Sequence, residues 1–334
     1  MSEDILSDVL RALRLRSALF YYVTCGGDWI AQAPASRDIA AAVMPDADQV
    51  MEYHVVTAGE CWAAIDGQSP LKLRRGDVLM LPQGDAHVLS SAPGKLGDPD
   101  IDWYYEMQQQ QRPFLISLTD TLPAGEPPAA TLVCGFIGCD LRPFNPLIAT
   151  LPRMLHLPAS HSSGWGEQFV QQAVLESGHR RPGSEAILER LSEMLFVDAV
   201  RRHLETLPDQ SKGWLAGLRD RHVGRALTLL HGAPSADWSM DELGRQVGLS
   251  RSALHERFVE LIGQPPMQYL AHWRMQLASR LLRDTPASVL TIALRVGYDS
   301  EATFGRAFKR MVGLPPATWR RRQTRVRDAS VRAE

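Results

Sequence analysis

Hydrophobic residues follow two different patterns along the chain. From Tyr53, short apolar runs such as YHVVTAGECWAAID and DVLMLP are separated by glycine, proline and aspartate, which is typical of short antiparallel strands. From Val223, apolar residues recur every three or four positions, which is the spacing of amphipathic helices. The pattern therefore predicts an α+β protein of two domains, with a β-barrel or β-sandwich first and an all-α domain last.

A repeat occupies the helical part. The stretches GLSRSALHERFVELIGQPPMQYL and GYDSEATFGRAFKRMVGLPPATWR begin at Gly248 and Gly297 and share their glycine, proline and aromatic positions. In the first copy, Ser239 and Glu242 form a capping box that opens a helix, Gly248 ends that helix, and Ser250 caps the next one. The second copy has the same order, so each copy is predicted to be a helix-turn-helix unit.

A longer helix is predicted between the two copies. Pro265 and Pro266 begin it, and it continues through MQYLAHWRMQLASRLLRD. At 1.5 Å per residue this segment spans about 27 Å. A helix of this length can hold the two helix-turn-helix units so that their second helices enter successive major grooves, roughly 34 Å apart. The repeat thus predicts two DNA-reading units joined by one helix.

The repeat resembles the DNA-binding domain of the AraC/XylS family of bacterial transcription regulators, over residues 223–322. The positions that carry this resemblance most specifically lie in the second unit: Gly297, Tyr298, Phe304, Arg306, Phe308, Gly313, Pro316 and Trp319. The resemblance implies double-stranded promoter DNA as a partner and RNA polymerase as a candidate second partner. It also implies a cytoplasmic, nucleoid-associated protein of a bacterium. A helical bundle also shows amphipathic periodicity, and a lone helix-turn-helix pattern is a weak signal, but neither would repeat these glycines, prolines and aromatic residues.

Candidate DNA contacts lie on the second helix of each unit. By the resemblance, the base contacts of the family fall at Ser252, His255, Glu256, Glu301, Ala302 and Arg306. Of these, an arginine suits bidentate contact with guanine and a carboxylate suits cytosine N4. The candidate phosphate contacts, which position without specifying, are Arg251, Thr303, Lys309 and the run Arg320, Arg321 and Arg322. For any one arginine, a solvated surface charge is the alternative.

Charge separates the two parts of the chain. Residues 221–334 hold 18 Lys and Arg against 10 Asp and Glu, a net charge of +8, whereas residues 1–220 have a net charge of −10. This asymmetry fits a basic part that binds a polyanion and an acidic part with another task. The acidic N-terminus does not look like a secretory signal, and no apolar run approaches the roughly 18 residues of a membrane span. We therefore expect a cytoplasmic protein.

The first half carries a second resemblance. GDVLMLPQGDAH has the spacing of the second cupin motif, with Gly76, Pro82, Gly84 and His87. Cupins are small β-barrels, and this half resembles the cupin-type sensor branch of the AraC family that includes oxidant-responsive regulators. The resemblance implies a sensor domain that binds a small-molecule or oxidant effector.

Three residues of the predicted barrel are candidate metal ligands. In cupin enzymes two histidines, a glutamate and a later histidine hold the metal, and His54, Glu60 and His87 match three of these positions. They could form a facial triad for Zn or Fe. Val56 stands where the second histidine would be, which favours a metal-free binding cavity and disfavours an enzyme. A metal-dependent cupin enzyme fused to a DNA-binding tether, and an architectural DNA-binding protein with an inert barrel, are the alternatives.

Cysteines give a further hypothesis. The four cysteines are scattered, so we expect reduced thiols rather than a disulfide framework. Cys25, beside two glycines in a predicted loop, and Cys134 occupy places that resemble cysteine positions of the oxidant-responsive relatives. These two are the redox-sensing candidates. The alternative is that each is a buried, inert side chain.

Helical patterns complete the domain assignment. Residues 165–178 and 183–207 predict a helical hairpin, and its second helix shows the stripe Ile187, Leu191, Met194, Leu195 and Ala199. In the regulatory family such helices often form the dimer, so we expect a homodimer. The predicted organisation is a sensor domain over 1–207, a linker over 208–220, a DNA-binding domain over 221–322 and a disordered tail over 323–334.

Overall fold

The computed structural model describes residues 4–107, 114–118, 127–159, 165–179 and 181–323. These residues form two compact units. The barrel unit comprises the described residues of 15–140 and 151–205, and the helical unit comprises those of 4–14, 141–150 and 206–323. Segments 4–14 and 141–150 thus differ from the sequence assignment, which placed them in the sensor domain. Apart from Gln323, the predicted disordered tail lies outside the described residues.

The barrel unit is built mainly of antiparallel strands. Its strands are β1 (Arg16–Cys25), β2 (Ile30–Ala33), β3 (Gln49–Ile65), β4 (Leu71–Arg74), β5 (Val78–Leu81), β6 (His87–Ser90), β7 (Phe114–Ser117), β8 (Ala130–Cys139) and β9 (Leu155–Leu157). The main strand order is β2-β6-β3-β8-β1-β7, while β4 and β5 also pair with β3 and β9 pairs with β5. The predicted barrel is therefore confirmed, and β3 is its central strand.

Strand β3 takes part in two sheets. Its first part pairs with β5 and β8, and its last part pairs with β4 and β6. The register shifts by one residue between Val56 and Ala58, which turns the following side chains to the opposite face. Gly59 follows with a φ of +71°, and a Cβ there would lie 1.9 Å from the carbonyl oxygen of Ala129. Only glycine fits at position 59.

Helices surround the strands of the barrel unit. They are α2 (Ser36–Val43), α3 (Ile101–Met107), α4 (Trp165–His179) and α5 (Ser184–Thr206). The predicted hairpin is present, although α4 extends one residue beyond Gly178. The face of α5 toward the core differs from the predicted stripe, because Leu188, Leu195 and Phe196 are buried whereas Ile187 and Met194 are exposed. A helix with apolar residues on both sides cannot be oriented from periodicity alone.

The helical unit contains the repeat. Its helices are α1 (Ile5–Ala12), α6 (Trp214–Arg219), α7 (Arg221–Gly232), α8 (Met240–Val247), α9 (Arg251–Ile262), α10 (Pro266–Asp284), α11 (Val289–Arg295) and α12 (Glu301–Val312), and residues 316–323 are also helical. The long helix α10 begins at the predicted proline. None of the helices in the described ranges is long and apolar enough to cross a membrane.

A buried glutamine joins distant segments of the helical unit. The Gln276 side chain lies on α10, where its Nε2 donates to the Ala12 carbonyl at 3.0 Å and its Oε1 accepts from the Phe144 amide at 3.1 Å. Only 3% of Gln276 is exposed. Since a buried amide is stable only when it is hydrogen-bonded, this residue explains why segments 4–14 and 141–150 belong to the helical unit.

Candidate sensor cavity and DNA-binding helices

Local backbone rules position the helices of each helix-turn-helix unit. Ser250 caps α9 by accepting from the Ala253 amide, and Ser300 caps α12 by accepting from the Thr303 amide. Gly263 and Gly313 then end these helices in the left-handed conformation, with φ of 82° and 84°. Such caps and glycine stops fix where a helix begins and ends. The two second helices thus follow the same local geometry.

The predicted base-reading residues are solvent-accessible on these two helices. Leu254 and Phe258 of α9, and Phe304 and Phe308 of α12, are fully buried. The residues that lie on the opposite side are exposed: Ser252, His255, Glu256, Glu301, Ala302 and Arg306. Three of the predicted phosphate contacts, Arg251, Thr303 and Lys309, are exposed as well. Each second helix therefore combines an apolar inner face with a polar outer face.

Arg320 departs from its predicted role as a phosphate contact. Its Nε donates to the Leu282 carbonyl at 3.0 Å, and its Nη2 donates to the Ala287 carbonyl. The side chain is half-buried, so the guanidinium satisfies backbone oxygens near the C-terminal end of α10. A run of three arginines could not reveal from sequence that its first member is structural, whereas Arg321 and Arg322 are exposed.

Arg257 is another arginine of the first unit with a structural contact. Its guanidinium bonds to Asp220, whose other carboxylate oxygen caps α7 by accepting from the His222 and Val223 amides. The pKa of Asp220 is lowered by these hydrogen bonds and by the positive charge of Arg257, although burial opposes the shift. Arg257 therefore connects α9 to the start of α7.

The barrel unit contains a partly open cavity of about 240 Å³. Most of its wall is aromatic or aliphatic, and these residues include Tyr21, Val23, Trp29, Leu89, Trp103, Tyr104, Ile116 and Leu132. A small set of polar side chains shares the same space: Glu52, His54, His87 and Cys134, with Gln32, Asp98 and Asp100. An apolar pocket with a few convergent polar groups is the usual form of a small-molecule site.

The buried polar groups of the cavity contact one another. His54 Nε2 lies 2.7 Å from His87 Nε2, and His54 Nδ1 lies 2.9 Å from Cys134 Sγ. His87 Nδ1 lies 3.0 Å from the carbonyl oxygen of Asp85, so this nitrogen is the donor. Glu52 is close to both imidazoles, with oxygen–nitrogen distances of 3.9 Å to His54 and 3.8 Å to His87.

Burial makes this cluster neutral. It raises the pKa of Glu52 to about 8 and lowers the pKa of His87 to about 4. The pKa of His54 is far below its usual value, first because of burial and then because of His87. Uncharged groups predominate because removal from water disfavours the ionised forms. The glutamate and the histidines therefore do not form ion pairs at neutral pH.

The predicted metal ligands are only partly brought together. His54 and His87 are neighbours, but Glu60 is exposed and its carboxylate pairs with Lys72 at 2.6 Å. The register shift after Val56 reverses the alternation of β3, so Glu60 faces away from the cavity. Glu52, two residues before His54 on the same face, occupies the place expected for Glu60. The Glu52-x-His54 spacing on a strand was the sequence signal for it.

The predicted redox cysteines are both buried. Cys25 is the last residue of β1 and not part of a loop, and burial raises its pKa to about 12. Burial also raises the pKa of Cys134. Cys25 pairs with Ala130 in the β1–β8 register, so four residues of strand, about 13 Å, separate it from Cys134 along β8. A disulfide needs Cα atoms within about 7 Å, so these two cysteines cannot join without a rearrangement.

Known proteins show similarity along almost the whole chain. Residues 4–205 match the cupin family and residues 243–322 match a helix-turn-helix domain. An AraC-like transcription regulator of Streptomyces lividans is 33% identical over 323 residues, which cover 96% of this chain and 99% of that protein. The transcriptional regulator AlkR of Acinetobacter baylyi is 27% identical, with 95% and 99% covered.

A third relative is the RCS-specific transcriptional activator RclR of Escherichia coli. It is 25% identical over 275 residues, which cover 82% of this chain and 85% of that protein. The relatives are transcription regulators and not enzymes. With the exposed polar faces of the two helix-turn-helix units, these findings identify the chain as a DNA-binding member of the AraC family of transcriptional regulators, with a cupin domain at its N-terminal end.

Proposed function

We propose that the barrel cavity binds a mainly apolar small molecule and that this binding changes the affinity of the helical unit for promoter DNA. The observation that carries the proposal is the cavity of about 240 Å³, which has aromatic walls and a buried polar cluster. Apolar walls supply affinity, while a few polar groups orient the ligand. A cytoplasmic location follows from this role.

Promoter recognition is proposed to use the exposed faces of α9 and α12. Arg306 and Glu256 are the best candidates for direct base contacts, because guanidinium and carboxylate groups pair with guanine and cytosine edges. Ser252, His255, Glu301 and Ala302 complete these faces. Arg251, Thr303 and Lys309 are proposed to contact phosphates, and Arg320 is left out because its guanidinium binds backbone carbonyls.

A direct route from the cavity to the helical hairpin supports the proposal. Glu52 and His54 line the cavity, whereas Tyr53 lies between them on the opposite face of β3. Tyr53 Oη lies 2.6 Å from Ser192 Oγ on α5, and both groups are buried. A ligand that displaces β3 would therefore act on α5 through this hydrogen bond.

The hairpin is proposed to form a homodimer. Leu175 on α4 and Ile187 and Met194 on α5 are 42%, 40% and 50% exposed. On α5, Ile187, the half-buried Leu191 and Met194 recur at helical spacing, so they form one apolar strip. A second copy of this chain can cover such a strip symmetrically. Two copies on one DNA would also raise the effective affinity.

DNA binding with cavity probes tests the proposal. The affinity of the full chain for the DNA upstream of its own coding sequence is measured with and without 1-decanol, decanoic acid or decylamine. These probes share an apolar chain and differ in the charge of the head group. We expect at least one probe to change the affinity by about 5- to 150-fold, the usual range of coupling between two sites.

A cavity-filling variant provides the control. Ala31 lines the cavity, so Ala31→Phe is expected to abolish the response to the probes. Ala41 lies exposed on α2 away from the cavity, and Ala41→Phe should respond as the wild type does. An unchanged affinity with every probe, or an equal response of Ala31→Phe, would contradict the proposed role of the cavity.

Oxidant sensing by Cys134 is a second candidate function. Cys134 Sγ lies in the cavity wall and contacts His54 Nδ1, and a relative carries the name RCS-specific. Oxidation of this sulfur would disrupt that contact. The raised pKa disfavours the reactive thiolate, which ranks this function second.

Reversible oxidation separates the two candidates. The DNA affinity of the wild type and of Cys134→Ser is measured before and after mild hypochlorite treatment, and again after reduction. A reversible change that is lost in Cys134→Ser would support the thiol switch. Six identical titrations would exclude it and leave the small molecule as the signal.

A further inference from the structure

The two histidines of the barrel cavity belong to a chain of hydrogen bonds that satisfies both of them. The Asp85 carbonyl accepts from His87 Nδ1, so His87 Nε2 carries a lone pair and accepts from His54 Nε2 at 2.7 Å. His54 Nδ1 then accepts from the Cys134 thiol at 2.9 Å. A neutral imidazole has one donor and one acceptor nitrogen. Each nitrogen is therefore already used, and neither histidine requires a ligand.

Glu52 is the exception in this cluster. Its Oε2 is buried and has no hydrogen-bond partner among the residues that the structure describes, and the whole residue is only 5% exposed. The distances of 3.8 and 3.9 Å to the imidazole nitrogens are too long for hydrogen bonds. Buried polar atoms are almost always paired, so an exception calls for an explanation. Because Glu52 lines the cavity, a ligand with an N–H group can supply the partner.

Two further carboxyl groups line the cavity. Asp98 and Asp100 lie between β6 and α3 and are exposed, so they lie at the opening of the cavity. Gln32 Oε1 accepts from the Gly97 amide at 3.1 Å, which attaches this segment to β2. Asp100 Oδ1 accepts from the Trp103 amide at 3.0 Å at the start of α3. These hydrogen bonds hold negative charge at the opening.

Positive side chains do not offset this charge within the cavity. No lysine or arginine lines it in the part of the chain that the structure describes. Lys95 is three positions before Asp98, but its ammonium group pairs with Asp28. A ligand that carries a carboxylate or phosphate would meet like charges at the opening, whereas a cation would be attracted there. The charge distribution therefore selects against anions.

Aromatic rings supply much of the remaining wall. Tyr21, Trp29, Trp103 and Tyr104 all line the cavity. The ring centroids of Tyr21 and Trp103 are 5.6 Å apart, and those of Trp103 and Tyr104 are 4.9 Å apart, so these three rings form one continuous surface. The faces of aromatic rings attract organic cations, and tryptophan does so most strongly. The wall thus suits a positively charged ligand as well as an apolar one.

We propose that the ligand of the barrel cavity is an amphipathic organic cation, an alkyl or aryl amine that is protonated at neutral pH. Its ammonium group donates to Glu52 and lies against the aromatic rings, while its apolar part packs on the aliphatic wall. A positive charge beside a carboxyl group favours the ionised form, so the burial that keeps Glu52 neutral does not prevent this pairing. The inference rests on the proposed function, because it names the ligand class of the same cavity.

Calorimetric titration of the full chain at pH 7 tests the ligand class. The probes are decylamine, 1-decanol and decanoic acid, which share their chain length and differ in the charge of the head group. We expect decylamine to bind at least about 10-fold more tightly than the other two, because hydrogen bonds between charged groups are the strong class. Ala31→Phe, which fills the cavity, should abolish this binding.

Two glutamates of β3 provide a matched pair of variants. Glu52→Gln should reduce the preference for decylamine over decanol to below about threefold, because the charged acceptor is lost. Glu60 is exposed and pairs with Lys72, so Glu60→Gln should keep the preference within about twofold of the wild type. Changing Asp98 and Asp100 together to asparagine should weaken decylamine binding by about two- to fivefold at low salt, since exposed charges contribute little.

Three results would overturn the ligand class. They are equal affinities of the wild type for decylamine and decanol, tighter binding of decanoic acid than of decylamine, or an unchanged preference in Glu52→Gln. The comparison of probes uses the wild type alone, so it decides the question even where Glu52→Gln does not fold.

The same titrations separate this inference from the proposed function. Binding of none of the probes would contradict both. Selective binding of decylamine without any change in DNA affinity would uphold the ligand class and contradict only the proposed effect on DNA. A change in DNA affinity caused by decanol or decanoic acid alone would uphold the proposed function and overturn the ligand class.

Discussion

The two helix-turn-helix units have the same helix caps and turns, but different side chains occupy their cores. Both second helices begin at a serine cap and end at a left-handed glycine. The first unit, however, has a polar network in its core, where Tyr269 Oη accepts from Trp214 Nε1 at 2.8 Å and contacts His231 Nε2 at 2.8 Å. In the second unit the matching residue is Trp319, which packs against Phe308.

Their outer faces differ as well. The first unit exposes His255 and Glu256 together with Arg251, whereas the basic residues exposed by the second include Arg306 and Lys309. The two units thus share the caps and turns, which are defined by local backbone chemistry, while their cores and surfaces differ. We expect the second unit to contribute more of the electrostatic affinity for DNA, since phosphate contacts dominate that term.

The largest effect should come from the fully buried phenylalanine that both units have at matching positions. Phe258 and Phe308 are fully buried at matching positions, so Phe258→Ala and Phe308→Ala should each reduce the free energy of unfolding by about 3–5 kcal/mol. Denaturant unfolding measures the change, and hydrogen exchange shows which unit opens. The exposed Arg310→Ala should stay within about 0.5 kcal/mol. A cost below about 1 kcal/mol in either unit would show that its core tolerates a cavity.

Acid should destabilise the first helix-turn-helix unit more than the second. Burial lowers the pKa of His231 to about 3, whereas an unfolded histidine titrates near 6.5. Stability from the neutral His231 is therefore complete above about pH 6.5 and is lost as the pH falls toward 3. Between pH 7 and 4.5, hydrogen exchange should show a greater loss of protection in α7 than in α12, and His231→Gln should remove this difference. Equal losses in both helices would contradict the contrast between the cores.

Base recognition should differ between the outer faces. Arg306→Ala is expected to cost about 1–3 kcal/mol at one base pair and to relax specificity there. Glu256→Ala should relax specificity at a different position, about one helical turn away. Binding to a library of single-base variants measures both effects. A uniform loss of affinity across that library would instead identify Arg306 as a phosphate contact.

The smallest expected effect is on the salt dependence of DNA binding, and it distinguishes a basic side chain that contacts DNA from one that only stabilises the fold. Lys309→Ala should lower the slope of log affinity against log salt by about one, because one phosphate contact is lost. Arg320→Ala should leave that slope unchanged and reduce the stability of the helical unit, since Arg320 bonds to the carbonyls of Leu282 and Ala287. Equal salt slopes for the two variants would remove the distinction.

Sequence predicted the helical unit in detail because its determinants are local. The caps at Ser250 and Ser300 and the stops at Gly263 and Gly313 depend on residues within one turn. The structural role of Arg320 could not be predicted because the carbonyl oxygens that accept its hydrogen bonds lie 38 and 33 residues earlier in the chain. The place of helix α1 in the helical unit could not be predicted for the same reason, since the hydrogen bond between Gln276 and the Ala12 carbonyl joins residues 264 positions apart.

The barrel was predictable as a fold but not in its polar site. Strand patterns and the cupin spacing correctly indicated His54 and His87 as neighbours. The spacing also indicated Glu60, but the register shift between Val56 and Ala58 reverses the faces of β3. A register shift of one residue cannot be recognised in a hydrophobic pattern, although it determines which glutamate of β3 faces the cavity.

Footprinting tests whether the two helix-turn-helix units, joined by α10, read successive major grooves. The full chain is bound to the DNA upstream of its coding sequence and probed by hydroxyl radicals and by guanine methylation. Helix α10 has 19 residues, a length of about 28 Å, so two contacted major-groove segments should be centred about 10 base pairs apart. Arg306→Ala should remove methylation protection from only one of them. A single contacted segment, unaffected by Arg306→Ala, would contradict this arrangement of the two units on DNA.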